Sequence, residues 1–582
     1  MHRIAGYLRP YLFRMCGGLT VKFIGSIMDL LLPYILAHII DDVAPTRSVS
    51  MILWWGIVMI FCSVICVSFN IIANQMASSV ARDTTRAVRR DLYHKIMTLS
   101  CRQTDEVGIP SLISRLTSDT YNLHNMIGMM QRLGVRAPIL LLGGIIVTLL
   151  LDVRLAMVLI AMLPPMGLII WYITKKGIPL YTILQQKVDQ MVQVVRENVV
   201  GIRVIKALSK TEYEKERFAR ISQKVVEQEQ QASMVMAVTN PLMNLSLNLG
   251  MTMVILVGAF LVNQDLSEPG KIMAFLNYFT IILNAMLSIS RMFVGYSKGT
   301  ASAGRIAFVL DLPEDLTCLP PDHQETDDHV RFDHVSFSYL GQRENLQDIS
   351  FSLKQGETLG IIGATGCGKT TIVHLLMRLY DCTSGSIRIH GDDIRSIPPE
   401  KLHTMFGVVF QNDVLFADTI AENISFGRDL NEEALEAAAE WAQAAEFIEE
   451  QDEGLSHELT IRGSNLSGGQ RQRLLISRAL AAKPEILILD DASSALDYKT
   501  DAALRRAIRE NFSGTTTIII AQRISSIMQA DHILVLEDGQ AIGYGTHQQL
   551  LSSCESYREI SRSQLGTIDA TGQRAEKGGT AV

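Results

Sequence analysis

Gly363, Ala364, Thr365, Gly366, Cys367, Gly368, Lys369, Thr370 and Thr371 follow one another between two apolar runs, Thr358–Ile362 and Ile372–Met377. The order reads as strand, glycine-rich turn and helix. Glycines in such a turn let successive backbone N–H groups point inward and cradle phosphate oxygens, and the new helix adds its positive N-terminal end. Lys369 is spaced to reach the outer phosphates, and the Thr370 hydroxyl to ligate Mg²⁺. Further on, Ile486-Leu-Ile-Leu-Asp490 is an apolar strand pattern that ends in a carboxylate. Asp490 at the carboxyl end of a buried parallel strand is placed to hold Mg²⁺, usually through water. These residues predict a site for a nucleoside triphosphate and its magnesium ion.

The elements that must carry this site are of two kinds. At 582 residues the chain should hold two or more domains. Its hydrophobic content of 48%, charged content of 19% and mean hydropathy of +0.20 place part of it in lipid. The net charge of −7 gives no support for nucleic acid as a partner. Eight cysteines show neither zinc spacing nor a disulfide framework and fit a reduced cytoplasmic side. No cleavable signal peptide is evident, and the first long apolar segment reads as a retained span.

Charge-free runs fall at residues 51–81, 155–173, 232–264 and 272–290. Each is long enough to cross about 30 Å of hydrocarbon at roughly 1.5 Å per residue. Two further segments, 15–40 with Lys22 and Asp29 inside it and 137–151 between Arg136 and Asp152, bring the predicted spans to six. Their expected limits are about 15–40, 51–77, 137–151, 155–173, 234–262 and 272–290. The long connections 82–136 and 174–231 are rich in Arg and Lys, as is the N-terminus, which puts all three on the cytoplasmic side. Apolar residues at helical spacing, such as Leu92, Ile96 and Leu99, make these connections helical extensions of the spans.

The expected organisation is a transmembrane domain over 1–305 and a linker over 306–330, marked by Pro313, Pro320, Pro321 and the acidic run 322–328. A soluble α/β domain follows over 331–564, then a small polar tail, 565–582, expected to be disordered. The fold class is a multidomain membrane protein: an all-α six-span domain followed by an α/β phosphate-loop domain.

About twenty residues before Asp490 lies Leu466-Ser-Gly-Gly-Gln470. With the phosphate loop and the apolar strand, this order resembles the ATP-binding cassette (ABC) family, and six spans, linker and cassette resemble a half-transporter of the exporter type. The resemblance implies ATP and Mg²⁺ as cofactors. It implies that Tyr339 stacks on adenine and that Gln411 senses the γ-phosphate and the metal. It assigns Asp497, in Ser494-Ala-Leu-Asp497, to a loop that crosses between two cassettes. It also implies that Ser467, Gly468, Gly469 and Gln470 contact ATP held by the opposite cassette, so that a second half-transporter is required. Residues 110–119 and 197–206 resemble the cytoplasmic coupling regions of these exporters.

Three positions depart from the family pattern. Asp491 stands where a glutamate normally polarises the attacking water. Gln522 replaces the switch histidine. Ile461 replaces an acidic residue ahead of the signature. Aspartate is one methylene shorter than glutamate, and a base displaced by about 1 Å can lose on the order of 100-fold in rate. Glutamine can still hydrogen-bond a phosphate but carries no proton to exchange. Loss of both groups beside an intact phosphate loop and signature resembles the degenerate subunit of a heterodimeric bacterial multidrug ABC exporter. A homodimeric lipid or peptide exporter with slow hydrolysis and an ATP-gated sensor without transport are the alternatives.

The cargo route is less explicit. Asn240, Asn244 and Asn248 recur on one face of the fifth span, and Asn277 and Asn284 on one face of the sixth. Such amides either join helices or line a wet path. Lys22 and Asp29 are costly in a bilayer and should face protein or a cavity. Lying about 10 Å apart along the helix, they should meet different partners. The expected location is a prokaryotic cytoplasmic membrane, with membrane lipids around the spans and an amphipathic compound as cargo.

Overall fold

The computed structural model describes residues 2–339, 341 and 343–565 and divides into two compact units. The first comprises residues 1–98 and 108–312. Among its described residues, six helices are long and apolar enough to cross a membrane: Arg3–Thr46, Val49–Met97, Ile109–Leu151, Val153–Val200, Thr211–Asn263 and Pro269–Leu310. The short apolar run 137–151 is thus the far end of a helix that begins well before it. Each helix is much longer than a bilayer requires, as the basic, periodic connections predict. The last helix persists through 306–310, the first part of the expected linker, because Ile306, Val309 and Leu310 are buried.

Contacts between these helices are close and mostly apolar. A Cβ on Gly250 would collide with the Phe279 ring, so a residue without a side chain lets the fifth helix lie against the sixth. Phe275, Phe279 and Ile282 pack there with Leu155 and Leu159 of the fourth helix. Polar ties sit at the ends. Asp152 caps the fourth helix through the N–H groups of Arg154 and Leu155 and accepts the Ser267 hydroxyl at 2.8 Å. Asp119, at the end of the 110–119 segment, accepts two bonds from Arg305 of the last helix, at 2.9 and 2.5 Å.

The second unit comprises Leu99–Val107 together with the chain from Pro313 onward. Its six-stranded sheet has the order β10-β9-β3-β8-β7-β6: β3 (Thr358–Gly363), β6 (Phe406–Val409), β7 (Ile486–Asp490), β8 (Thr516–Ile520), β9 (His532–Glu537) and β10 (Gln540–Gly545). β6, β7, β8, β3 and β9 run parallel; β10 is antiparallel to β9. The β7 strand is buried at every position, which explains its unbroken apolar sequence. A four-stranded antiparallel sheet, β2-β1-β4-β5, is formed by β1 (Val330–Phe337), β2 (Leu346–Leu353), β4 (Ser384–Ile389) and β5 (Asp392–Asp393). The expected tail falls on residues 566–582, which lie outside the described ones.

The short helix Cys101–Val107, from the first long connection, belongs with this unit. The Ser100 hydroxyl donates to Asp315 at 2.7 Å, Gln103 donates to the Pro313 carbonyl at 2.7 Å, and Asp105 accepts the Tyr380 hydroxyl at 2.6 Å. Residues 110–119 belong to the membrane unit. The docking residues of 99–107 are ordinary polar side chains whose partners lie more than two hundred positions away in sequence.

At the head of β1, His329 is 2% exposed. Its Nδ1 lies 2.5 Å from the Thr516 hydroxyl, which also accepts the Gly356 N–H and donates to the Lys354 carbonyl. The hydroxyl proton being committed, the imidazole is the donor, and its buried Nε2 has no partner. Burial, with His390 alongside, pushes the ring down to about 4. An unfolded histidine titrates near 6.5, so the folded chain binds fewer protons between these values. Stability present in full above pH 6.5 is therefore lost as pH falls toward 4, by up to about 3 kcal/mol. Thermal unfolding of the full chain in detergent should show the stability gap between wild type and His329→Gln narrowing across that window; a gap independent of pH would contradict the assignment.

Candidate functional site

Parallel register places the functional side chains. Ile361 of β3 pairs with Ile520 of β8, and Ile520 pairs with Asp490 of β7. The phosphate loop after β3, the Asp490–Asp491 pair ending β7 and Gln522 after β8 therefore emerge side by side at the carboxyl edge of one sheet. They line a cavity of about 170 Å³ with Thr365, Gly366, Gly368, Lys369, Thr370, Thr371 and Gln411.

The loop itself needs glycine. Gly366 and Gly368 have φ of 86° and 101°, and a Cβ on Gly363 would collide with the carbonyl of Leu536. Gly363, Ala364 and Cys367 of this loop do not line the cavity; Ala364 is exposed and Cys367 buried. The Lys369 ammonium folds over the loop, donating to the carbonyls of Gly363 and Ala364 at 2.9 and 2.8 Å. Helix Lys369–Leu376 starts at this point, with its first N–H groups free of intrahelical partners.

Thr370 donates its hydroxyl to Asp490 Oδ2 at 2.8 Å. Burial pushes the Asp490 carboxyl up, the Thr370 bond opposes this, and neighbouring Asp491 adds to it. Burial also pushes Asp491 up, against Lys369 and Arg523. A hydroxyl and two desolvated carboxyls, with the Gln411 amide at the same cavity, form an oxygen donor set that fits Mg²⁺. Bound there, the ion would neutralise phosphate charge. Asp491 has φ of 52°, in the left-handed region, and its Oδ2 accepts the Gln522 amide at 3.2 Å. Two of the three departures from the family pattern thus touch each other.

Tyr339 does not line this cavity. Its ring packs edge-on against Phe337 and Tyr380, at centroid distances of 4.7 and 5.1 Å, and its hydroxyl hydrogen-bonds Thr371 and His374. It borders a larger cavity of about 930 Å³ shared with Tyr380. The signature residues are also elsewhere. Ser467 and Gln470 form a reciprocal capping box at the start of helix Gly468–Ala481, leaving Ser467 and Gly468 exposed. Gly469 packs on the backbone of Ala495, in the same loop as Asp497. Asp497 caps helix Tyr498–Asn511 through the Thr500 N–H and hydroxyl, at 2.9 and 2.7 Å, and these bonds hold its carboxyl below the usual range.

In the membrane unit, Asn240, Asn244, Asn248, Asn277 and Asn284 are all exposed in the single chain. Asn277 and Asn284 donate only to carbonyls of their own helix. Within one chain none of the five joins helices, which leaves their side chains turned outward. Lys22 and Asp29 meet different partners, as their spacing predicts. Lys22 donates to Asn70 and Asn74 at 2.8 and 3.0 Å, whereas Asp29 accepts from Arg136 at 2.8 Å and from Cys66 at 2.9 Å. The sequence did not mark these partners: Asn70 and Asn74 lie inside the charge-free run 51–81, and Arg136 bounds the run 137–151.

Comparison with known proteins gives consistent results. A family model for the ABC transporter transmembrane region matches residues 15–286, and one for the ABC transporter cassette matches 346–494. The uncharacterized ABC transporter ATP-binding protein YfiB of Bacillus subtilis is 35% identical over 97% of this chain and 99% of its own length. An uncharacterized ABC transporter ATP-binding protein of Mycobacterium tuberculosis is 32% identical over 96% of this chain and 97% of its own. The solved structure of a bacterial Atm1-family ABC exporter with ATP bound is similar with a TM-score of 0.81 at 25% identity, covering 95% of this chain and 99% of that one.

Removing the Lys369 ammonium takes away charge-assisted hydrogen bonds worth about 1.5–3 kcal/mol. Lys369→Ala should weaken ATP binding by about ten- to hundredfold in an equilibrium titration with a fluorescent analogue and Mg²⁺. Unchanged affinity would place the phosphates elsewhere.

Proposed function

Because this chain belongs to the ABC transporter family, as an exporter with its transmembrane region and ATP-hydrolysing cassette in one polypeptide, we propose that it exports an amphipathic compound as the slower-hydrolysing half of a heterodimer. The family makes it a multi-pass membrane protein with a cytoplasmic cassette.

One observation carries the asymmetric reading: Asp491 and Gln522 replace the usual base and switch, and the Gln522 amide is bonded to the Asp491 carboxylate. In the work of this site the phosphate-loop N–H groups bind the triphosphate and Lys369 holds its outer oxygens. Thr370, Asp490 and Gln411 offer oxygens to Mg²⁺. Asp491 is the acceptor left to orient the attacking water, but it is a methylene short, and an amide without a transferable proton occupies one of its oxygens. ATP is then held well and hydrolysed slowly.

The signature supports the complementary half of the reading. Ser467 and Gly468 are exposed at the start of a fourteen-residue helix, and its free N–H groups suit a γ-phosphate presented by a partner cassette. The partner's site would then be the faster one. For the cargo, five outward-facing asparagines and nearby methionines such as Met234, Met253 and Met273 offer an adaptable, partly polar wall. A homodimer that hydrolyses slowly is the second reading, favoured by the retention of every phosphate-binding residue.

Substitutions should therefore have unequal effects within one polypeptide. In the heterodimer reconstituted with its co-purifying partner, Asp491→Asn should lower ATPase activity only modestly, within about fivefold, because that base is already badly placed. Gly468→Asp sets bulk and negative charge against the partner's γ-phosphate and should nearly abolish activity. Equal damage from both would make this chain's own site a main engine, and rapid turnover by the chain alone would overturn the slow-site reading.

A further inference from the structure

The membrane unit holds a second concentration of charge, remote in role from the nucleotide site. Lys22 of the first membrane helix, Asn74 of the second, and Asn125, Arg132 and Arg136 of the third line a cavity of about 430 Å³. Ionisable groups at such positions are costly in a bilayer and are kept for pairing or for function. Pairing explains only one of the three cations. Arg136 is bonded to Asp29. Lys22 donates to two neutral amide oxygens, and the Arg132 Nε donates to the carbonyl of Gly128 on its own helix at 3.1 Å. Among the described residues neither Lys22 nor Arg132 has a carboxylate partner. Three cations against the single carboxylate of Asp29 leave an excess of two positive charges on the wall.

The arrangement is built rather than incidental. Lys22 is only 3% exposed, and its ammonium is fixed by Asn70 and Asn74. Gly25, one turn on, keeps the first helix against the second: a Cβ there would meet Asn70 at 3.2 Å and Phe69 at 3.3 Å. Arg132 and Arg136 are one turn apart on the same face of the third helix. Lys22 lies in the first third of its apolar segment, 15–40, nearer the basic N-terminal end. Asn74 lies near the end of the second run, 51–81, and Arg136 immediately precedes 137–151 on the third helix. Exposed apolar side chains stand beside them: Phe23 and Ile24 on the first helix, Ile71 and Ile72 on the second, Met130 on the third.

We propose that this cavity binds the anionic headgroup, phosphate or carboxylate, of an amphiphile drawn from the cytoplasmic leaflet. Arg132 and Arg136 donate to the headgroup oxygens, in the paired geometry that guanidinium groups give to phosphate and carboxylate. Lys22 supplies the fixed positive field, and the acyl chain lies along the exposed apolar side chains. Neutral and cationic amphiphiles are disfavoured because they leave that field uncompensated. Binding rests on these side chains alone; that the bound amphiphile is also carried rests on the export reading above.

The test uses the full chain with its partner in neutral detergent, and a fluorescent long-chain alkyl phosphate as probe, with the matched alkyl phosphocholine and inorganic phosphate as comparators. The alkyl phosphate should bind at least about tenfold more tightly than the phosphocholine, and Arg132→Gln should lower its affinity by about tenfold, with partial recovery in Arg132→Lys. Arg132 is the informative position because no carboxylate is left unpaired when it is neutralised, and ATP binding by the variant reports that the chain is folded. Equal binding of the two lipids, or an Arg132→Gln variant that binds as wild type, overturns the proposal. Displacement by inorganic phosphate at matched concentration also overturns it, since the site would then take soluble anions. ATP-driven movement of the bound probe in inverted vesicles supports it as cargo; tight binding without movement supports a resident lipid and removes the export reading for this ligand while the site stands.

Discussion

The nucleotide site depends on one ladder of backbone hydrogen bonds. Because β8 is paired on one side with β3 and on the other with β7, Ile520 sits between Ile361 and Asp490. Adjacent strands are held about 4.8 Å apart, so groups far apart in sequence arrive within reach of one triphosphate. A slip of one residue in either pairing would turn Asp490 from the cavity to the opposite face of the sheet. The apolar side chains buried at every position of β7, on both faces, guard against that slip only in part. The phosphate loop and the Thr370–Asp490 bond complete the specification at the functional edge.

The membrane unit obeys a different constraint. With no water to satisfy polar groups, each charged or amide side chain must find a partner in protein, a cavity or the interface. The structure answers this in two ways. Asp29 with Arg136 is a matched pair. Lys22 and Arg132 are held by neutral oxygens, so their charge is supported but not cancelled. The first arrangement fixes helices together, and the second keeps a field available.

Legibility in the sequence followed the locality of the chemistry. The phosphate loop is a continuous stretch and Asp490 is marked by its own strand, so both could be read from spacing, whereas the signature entered through resemblance to a family. Six spans were readable because hydrocarbon thickness sets a length that apolar runs must meet. What escaped was tertiary. The Tyr339 ring packs on Phe337 of the same strand pattern and on Tyr380, which no local pattern connects to it. The docking of 99–107 on Asp315, Pro313 and Tyr380 uses side chains of unremarkable type. The asparagine faces were visible as periodicity, but only their exposure showed that they do not join helices within the chain.

The backbone at residue 491 gives the aspartate a second meaning. With φ of 52°, the position lies in the left-handed region, which ordinary side chains enter at a penalty of roughly 1–2 kcal/mol. Aspartate and asparagine are the residues after glycine that tolerate it best, because their short polar side chains bond locally. A glutamate here would extend further toward the phosphates while sitting less comfortably in the turn. The shorter acid therefore relaxes a strained corner of the cassette at the expense of reach toward the phosphates.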